Sequence, residues 1–141
     1  MGKDKIKPHQ RRSDIQQTIE SRPPQHENGL FVVSFKNLDE SQANSLVDWD
    51  SEGILAQAIQ TIAGYCQRPL EQQFSDKFTI YGEYPTKSKY TRPRHVPKDA
   101  NWARIHVNGK QILAGHVFQN TFYVVFLDPD HSFYPTEKKN T

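Results

Sequence analysis

The stretch "NWARIHVNGKQILAGHVFQNTFYVVFLD", residues 101–128, constrains the fold more than any other part of the chain. Apolar and polar residues alternate through its first third, Asn108-Gly109 is a two-residue hairpin signal and Gln119-Asn120 is a second turn. It therefore reads as three antiparallel strands. With both loops two residues long, Ile105 pairs with Ile112 and Ala103 with Ala114. In the next pairing Leu113 faces Phe126, Gly115 faces Val124 and Val117 faces Phe122. Ala103, Ile105 and Val107 then share one face, and Trp102, Arg104 and His106 the other. Gln111 is expected opposite His106 and beside Asp128, and Leu113 opposite Arg104. The middle strand is apolar at both alternations, the pattern of a strand covered on both faces.

Upstream, "GLFVVSFKNL" places Phe31, Val33 and Phe35 at period two, which predicts a half-buried strand. The spacing then becomes helical, with an apolar stripe of Leu46, Trp49, Leu55, Ile59 and Ile62. Gly53 is expected to split this run into two helices, Ser51 to cap the second, and Gly64 or Pro69 to end it. "DKFTIYGEYP" supplies another strand over Phe78 to Tyr81, and a proline-rich connection leads into the three C-terminal strands. The element order predicts a small α+β domain, an antiparallel sheet packed on a helical pair.

At 141 residues the chain is one domain. Its charged fraction of 24% against 35% hydrophobic points to a part that is not packed. Residues 1–29 fit that description: they carry almost no apolar side chains and include Pro8 and Pro23-Pro24. They read as a mobile basic arm in which Ser13 to Ser21 could turn helical on contact with a partner. Residues 30–135 form the domain and 136–141 a tail. No apolar core of a signal peptide follows the basic start, and no run reaches the length of a membrane span, so a cytoplasmic protein is expected. The lone Cys66, in "IAGYCQRPL", reads as a buried structural thiol.

The net charge is only +2, but its distribution is uneven. Asp39, Glu40, Asp48, Asp50 and Glu52 cluster early. The segment "YPTKSKYTRPRHVPK", residues 84–98, has Lys87, Lys89, Arg92, Arg94, His95 and Lys98 interleaved with Tyr84 and Tyr90 and no carboxylate. Such a loop can track a phosphate backbone and stack on bases, or it can be a solvated loop.

The last motif, "FLDPDHSFYP", packs two carboxylates, an imidazole and a phenol between apolar residues and prolines. His95, His106, His116, Asp128, Asp130 and His131 are zinc-type ligands by chemistry. Yet the chain has no HExxH, no cysteine pair and no histidine repeat at ligand spacing, so neither a metal site nor a cofactor is expected. His116 reads as a core histidine with a hydrogen-bond partner. Asp128-Pro129 reads as a turn, with the carboxylate bonding the backbone ahead. That turn would bring His131 and Tyr134 to the edge of the face bearing Arg104 and His106.

In element order over residues 30–135, and in "WARIHVNGKQILAGHVFQNTFYVVFLDPDHSFY" most specifically, the chain resembles the RelE/ParE toxin superfamily. Its RelE-like members cleave messenger RNA on the ribosome. Arg104 and His106 match the alternating basic positions of the family's first hairpin strand. His131 matches the His or Arg after the last strand, and Tyr134 the tyrosine a few residues on. The basic position after the hairpin turn reads Lys110-Gln111, displaced by one, and the insert Tyr84 to Asn101 is longer than the family's.

The resemblance implies a RelE-like fold and a metal-independent endoribonuclease toxin of a bacterial toxin-antitoxin system. Its catalytic residues would be Arg104, His106, His131 and Tyr134, and RNA would be bound by Lys87, Lys89, Tyr90, Arg92, Arg94, His95 and Lys110. The implied partners are RNA, with it the ribosome, and a cognate antitoxin protein. Two alternatives stay open: a non-enzymatic RNA- or protein-binding module of the same fold, and a ParE-like topoisomerase inhibitor.

Overall fold

The computed structural model describes residues 29–69, 73 and 77–135. The expected arm, apart from Gly29, and the expected tail lie outside the described residues.

The elements are β1 (Val32–Ser34), α1 (Leu46–Ser51), α2 (Leu55–Tyr65), β2 (Phe78–Gly82), β3 (Asn101–Asn108), β4 (Gln111–Phe118) and β5 (Thr121–Asp128). The strands form one sheet in the order β1-β5-β4-β3-β2. The domain is therefore α+β, but its sheet is mixed and not purely antiparallel, because β1 pairs with β5 in parallel. After β1 the chain turns away, with Leu38 N–H bonding the Phe35 carbonyl at 3.1 Å. It then runs on along β5, where Asp39 and Asn44 N–H reach the carbonyls of Val125 and Leu127 at 2.8 and 3.1 Å. The early turn leaves Phe35 38% exposed, so the expected inward period of Phe31, Val33 and Phe35 holds only for the first two.

The helices divide at Gly53, whose φ of +75° suits the residue that breaks them. The expected cap differs. Ser45 and Asp48 form a reciprocal capping box at the start of α1, Ser51 is the last residue of α1, and the N-cap of α2 is Ile54, which makes no side-chain capping bond. The buried stripe runs through Trp49, Ile54, Ala58 and Ile62, while Ile59 is exposed. Both helices cover one face of the sheet, against Phe31, Phe78, Ala103, Ile105, Leu113, Phe122 and Val124.

β3 keeps its expected phase: Ala103 and Ile105 face the helices, and Trp102 joins the opposite face. β4 does not. Ile105 pairs with Leu113, Arg104 with Ala114 and His106 with Ile112, one residue off the expected register. The hairpin loop is Gly109-Lys110, flanked by the pair Asn108 and Gln111, and Val107 bulges out of the ladder. Gln111 therefore pairs with Asn108 instead of His106, and Ile112 replaces Gln111 beside Asp128. The second hairpin closes on Gln119-Asn120 as expected, and Gly115 does face Val124. Between Ala114 and Gly115 a further bulge adds one residue to β5, so Val125 and Phe126 both join the face away from the helices.

That second face carries its own core of Val96, Trp102, Ile112, Ala114, Phe126 and Phe133. It is roofed by the 83–100 connection and the 129–135 turn, which explains why β4 is buried at nearly every position.

Candidate functional site

Asp128 organises the corner where the two roofing segments meet. It is fully buried, and one carboxylate oxygen accepts from the Tyr90 hydroxyl at 2.9 Å and from Ser132 N–H at 3.0 Å. The other accepts Phe133 N–H at 2.6 Å. The expected Asp-Pro-Asp turn is thus present, and its carboxylate bonds the backbone ahead. Lys89 N–H completes the join by bonding the Ser132 carbonyl at 3.0 Å.

The turn holds His131 at φ +64°, a left-handed conformation that costs a non-glycine residue about 1–2 kcal/mol. Backbone bonds to Asp128 on either side supply that cost. The pose lets His131 Nδ1 bond the Tyr134 carbonyl at 3.0 Å. A carbonyl only accepts, so Nδ1 is the donor and Nε2 is the ring nitrogen this bond leaves free. The His106 ring lies 5.6 Å from the His131 ring, centroid to centroid.

Tyr134 stacks on Tyr81 at 4.2 Å with a 10° interplanar angle, and the Tyr81 hydroxyl accepts Arg104 Nε–H at 2.9 Å. Burial pushes the Tyr81 phenol above its ordinary value, against the pull of the Arg104 guanidinium, so the hydroxyl keeps its proton. Tyr81 thus links Arg104 of β3 to Tyr134 of the turn after β5; His131 bonds the Tyr134 carbonyl, and the His106 ring of β3 lies beside the His131 ring. Tyr81 escaped the sequence reading, but the signal was there. Phe78 and Ile80 alternate inward, which sends Thr79 and Tyr81 to the face of Arg104, and Thr79 does pair with Arg104.

His106 also borders an open cleft of about 460 Å³ shared with Thr61, Tyr65 and Lys77. Among the described residues, no three His, Cys, Asp or Glu side chains converge as a ligand set.

The expected RNA-contacting residues divide. Lys87, Lys89, Arg94 and Lys110 are exposed. Tyr90 and Arg92 are half-buried and engaged within the roof. Tyr90 packs on Phe126 at 4.8 Å and gives its hydroxyl to Asp128. Burial and that carboxylate drive its phenol far above the ordinary value. Arg92 bonds the carbonyls of Val96 and Pro93 within its own loop. The loop needs internal anchors, and these aromatic and guanidinium groups serve as them. His95 lies apart, with Nε2 2.9 Å from the Asn37 carbonyl.

Comparison with family models, curated proteins and solved structures finds no match for this chain. His116, expected in the core, is 7% exposed and bonded at Nε2 by Asn37 Nδ2 at 3.0 Å. Cys66 is half-buried, and burial raises its thiol, as suits a structural cysteine. No helix among the described residues is long and apolar enough to cross a membrane.

Proposed function

We propose that the chain is a metal-independent endoribonuclease of the RelE-like kind, the toxin of a bacterial toxin-antitoxin pair acting on ribosome-bound messenger RNA. The observation that carries this reading is the convergence of two imidazoles, a guanidinium and two phenols on one rim. In the proposed reaction His131 Nε2 takes the proton of a 2′-hydroxyl. The 2′-oxygen forms a bond to phosphorus and the phosphorus bond to the 5′-oxygen breaks. Protonated His106 or the Tyr134 phenol returns a proton to the leaving oxygen, and a 2′,3′-cyclic phosphate remains. Arg104, held by Tyr81, faces the charge that grows on the phosphoryl oxygens, a role worth about 3–4 kcal/mol for one preorganised donor.

The test is cleavage of a single-stranded RNA and of ribosome-bound messenger. His131→Ala should slow cleavage about 10²- to 10⁴-fold at unchanged RNA affinity. The wild-type rate should be indifferent to chelators. Expression should arrest growth, and Arg104→Ala should relieve the arrest while the protein stays folded. RNA binding without cleavage would replace the nuclease by a binding module. Loss of activity on chelation would restore a metal, and growth arrest with inhibited topoisomerase and intact RNA would select the ParE-like reading.

A further inference from the structure

The same face of the sheet carries a second recess towards the other end of the strands. Ile112 lies beside Asp128 at the end that holds the His131 turn, and Phe118 is six residues farther along β4, about 20 Å away. Beside Phe118 opens a cleft of about 520 Å³, within the range of small-ligand sites. Lys36, His95 and His116 line it, with Asp99 as a carboxylate in the wall.

Three features give this cleft a chemistry. Its ammonium and two imidazoles come from three separate segments, the turn after β1, the 83–100 connection and β4, and Asn37 joins the two imidazoles. The Asn37 carbonyl meets His95, and its side chain meets His116. Its aromatic groups are arranged as a platform: Tyr123 stacks on His116 at 4.9 Å and 14°, with the Lys36 ammonium 5.5 Å from the Tyr123 ring centre. Finally, Phe118 stands at its edge 62% exposed, a flat ring open to stacking. The positive surroundings are felt by His116, whose imidazole is held below its ordinary value by burial and then by the charges of His95 and Lys36.

We propose that this cleft binds one phosphate-bearing nucleotide unit, its phosphate between Lys36 and His95 and its base stacked on Phe118. Cation and ring together favour a nucleotide over a simple anion or an apolar ligand, because each alone would reward only half of such a molecule. The site does not depend on the proposed cleavage chemistry, since it shares no residue with the Arg104 cluster.

The experiment follows the Phe118 and His116 resonances by NMR while AMP, inorganic phosphate or a hexa-adenylate RNA is titrated in. AMP should bind at least about tenfold more tightly than phosphate. Phe118→Ala should weaken AMP about 5- to 150-fold, the span of one lost base stack, and leave phosphate unchanged. Lys36→Gln should weaken both, and Arg104→Ala neither. Both Lys36 and Phe118 are exposed, so the variants should keep the fold. AMP binding no better than phosphate, or unaltered by Phe118→Ala, overturns the proposal. Tighter, Phe118-dependent binding of the hexamer assigns the cleft to an RNA strand, and equal affinity assigns it to a free nucleotide.

Discussion

The two faces of the sheet are both buried, yet they are closed by different means. The helix-covered face is sealed chiefly by apolar surface, Trp49, Ala58 and Ile62 against Phe31, Phe78 and Phe122, whose rings sit 5.5 to 6.4 Å apart, with Gln57 Nε2 bonding the Val107 carbonyl at 3.4 Å. The opposite face is roofed by two irregular segments that cannot bond to themselves as a helix does. Their backbone groups need partners, and the buried Asp128 carboxylate, the Tyr84 hydroxyl and the Arg92 guanidinium provide them. Tyr84 illustrates this, its ring against Trp102 at 4.9 Å and its hydroxyl on the Tyr90 carbonyl at 2.6 Å. Polar groups gather where irregular chain has to be held, and the candidate chemistry lies on that face.

The largest effect should come from the point where the two faces are geared to each other. A Cβ on Gly115 would sit 1.9 Å from the Tyr123 carbonyl oxygen, and backbone cannot move aside as a flexible side chain can. Gly115→Ala should therefore cost at least about 3 kcal/mol, the upper end for an overpacked core, read from the urea midpoint. A fully stable alanine variant would remove the β5 bulge and with it the shared placement of Val125 and Phe126.

Asp128→Asn should cost less and should separate the faces. Its amide nitrogen cannot accept, so at least one buried N–H of Ser132 or Phe133 loses its partner, about 1–3 kcal/mol. Hydrogen exchange should rise in the 129–135 turn and in the 83–100 connection, while α2 stays protected. Exchange that rises equally in α2 would show that the two faces open as one unit.

The phase of β3 was legible because its alternation has clearly polar positions. That of β5 was legible only as far as Val124: past it the bulge at Val125 turns Phe126 to the other face and sets Leu127, not the expected Phe126, opposite Leu113. β4 was not: Ile112 and Ala114 are as apolar as Leu113 and Val117, so a slip of one residue leaves no mark in the pattern. The slip arises at Val107, a bulge with no sequence signal beyond the Asn108-Gly109 pair that suggested a simpler turn. The meeting of His131 and Tyr134 with Arg104 could be read because Asp128-Pro129 specifies its own turn. The inward roles of Tyr90 and Arg92 could not, since a proline-rich loop has no period from which to read a face.

A smaller effect tests the polar side of the comparison through pH. His116 is neutral in the fold, accepting at Nε2 from Asn37, and its folded value lies below the unfolded one. Its contribution to stability is therefore complete above the unfolded value of about 6.5 and is lost as pH falls through the folded value. The urea midpoint should drop on acidification across that window, and the drop should shrink in His116→Gln. An unchanged profile in the variant would assign the acid sensitivity to other groups.

The smallest effect concerns the outside of the roof, where Lys87, Lys89 and Arg94 are exposed while Arg92 is turned into its own loop. Charges that meet an RNA backbone release counterions, and each neutralised phosphate contributes about 0.7 to the slope of log affinity against log salt for a single strand. Replacing the three exposed residues by Ser should lower that slope by up to about 2, with little change in stability. Arg92→Ser should do the reverse: it removes bonds to the Val96 and Pro93 carbonyls, loosens the loop and lowers the urea midpoint, but leaves the salt slope nearly intact. Dissociation constants at several salt concentrations, measured beside denaturation curves, separate the two. A slope unchanged by the triple replacement would take the connection out of the RNA interface and leave it only the work of roofing the sheet.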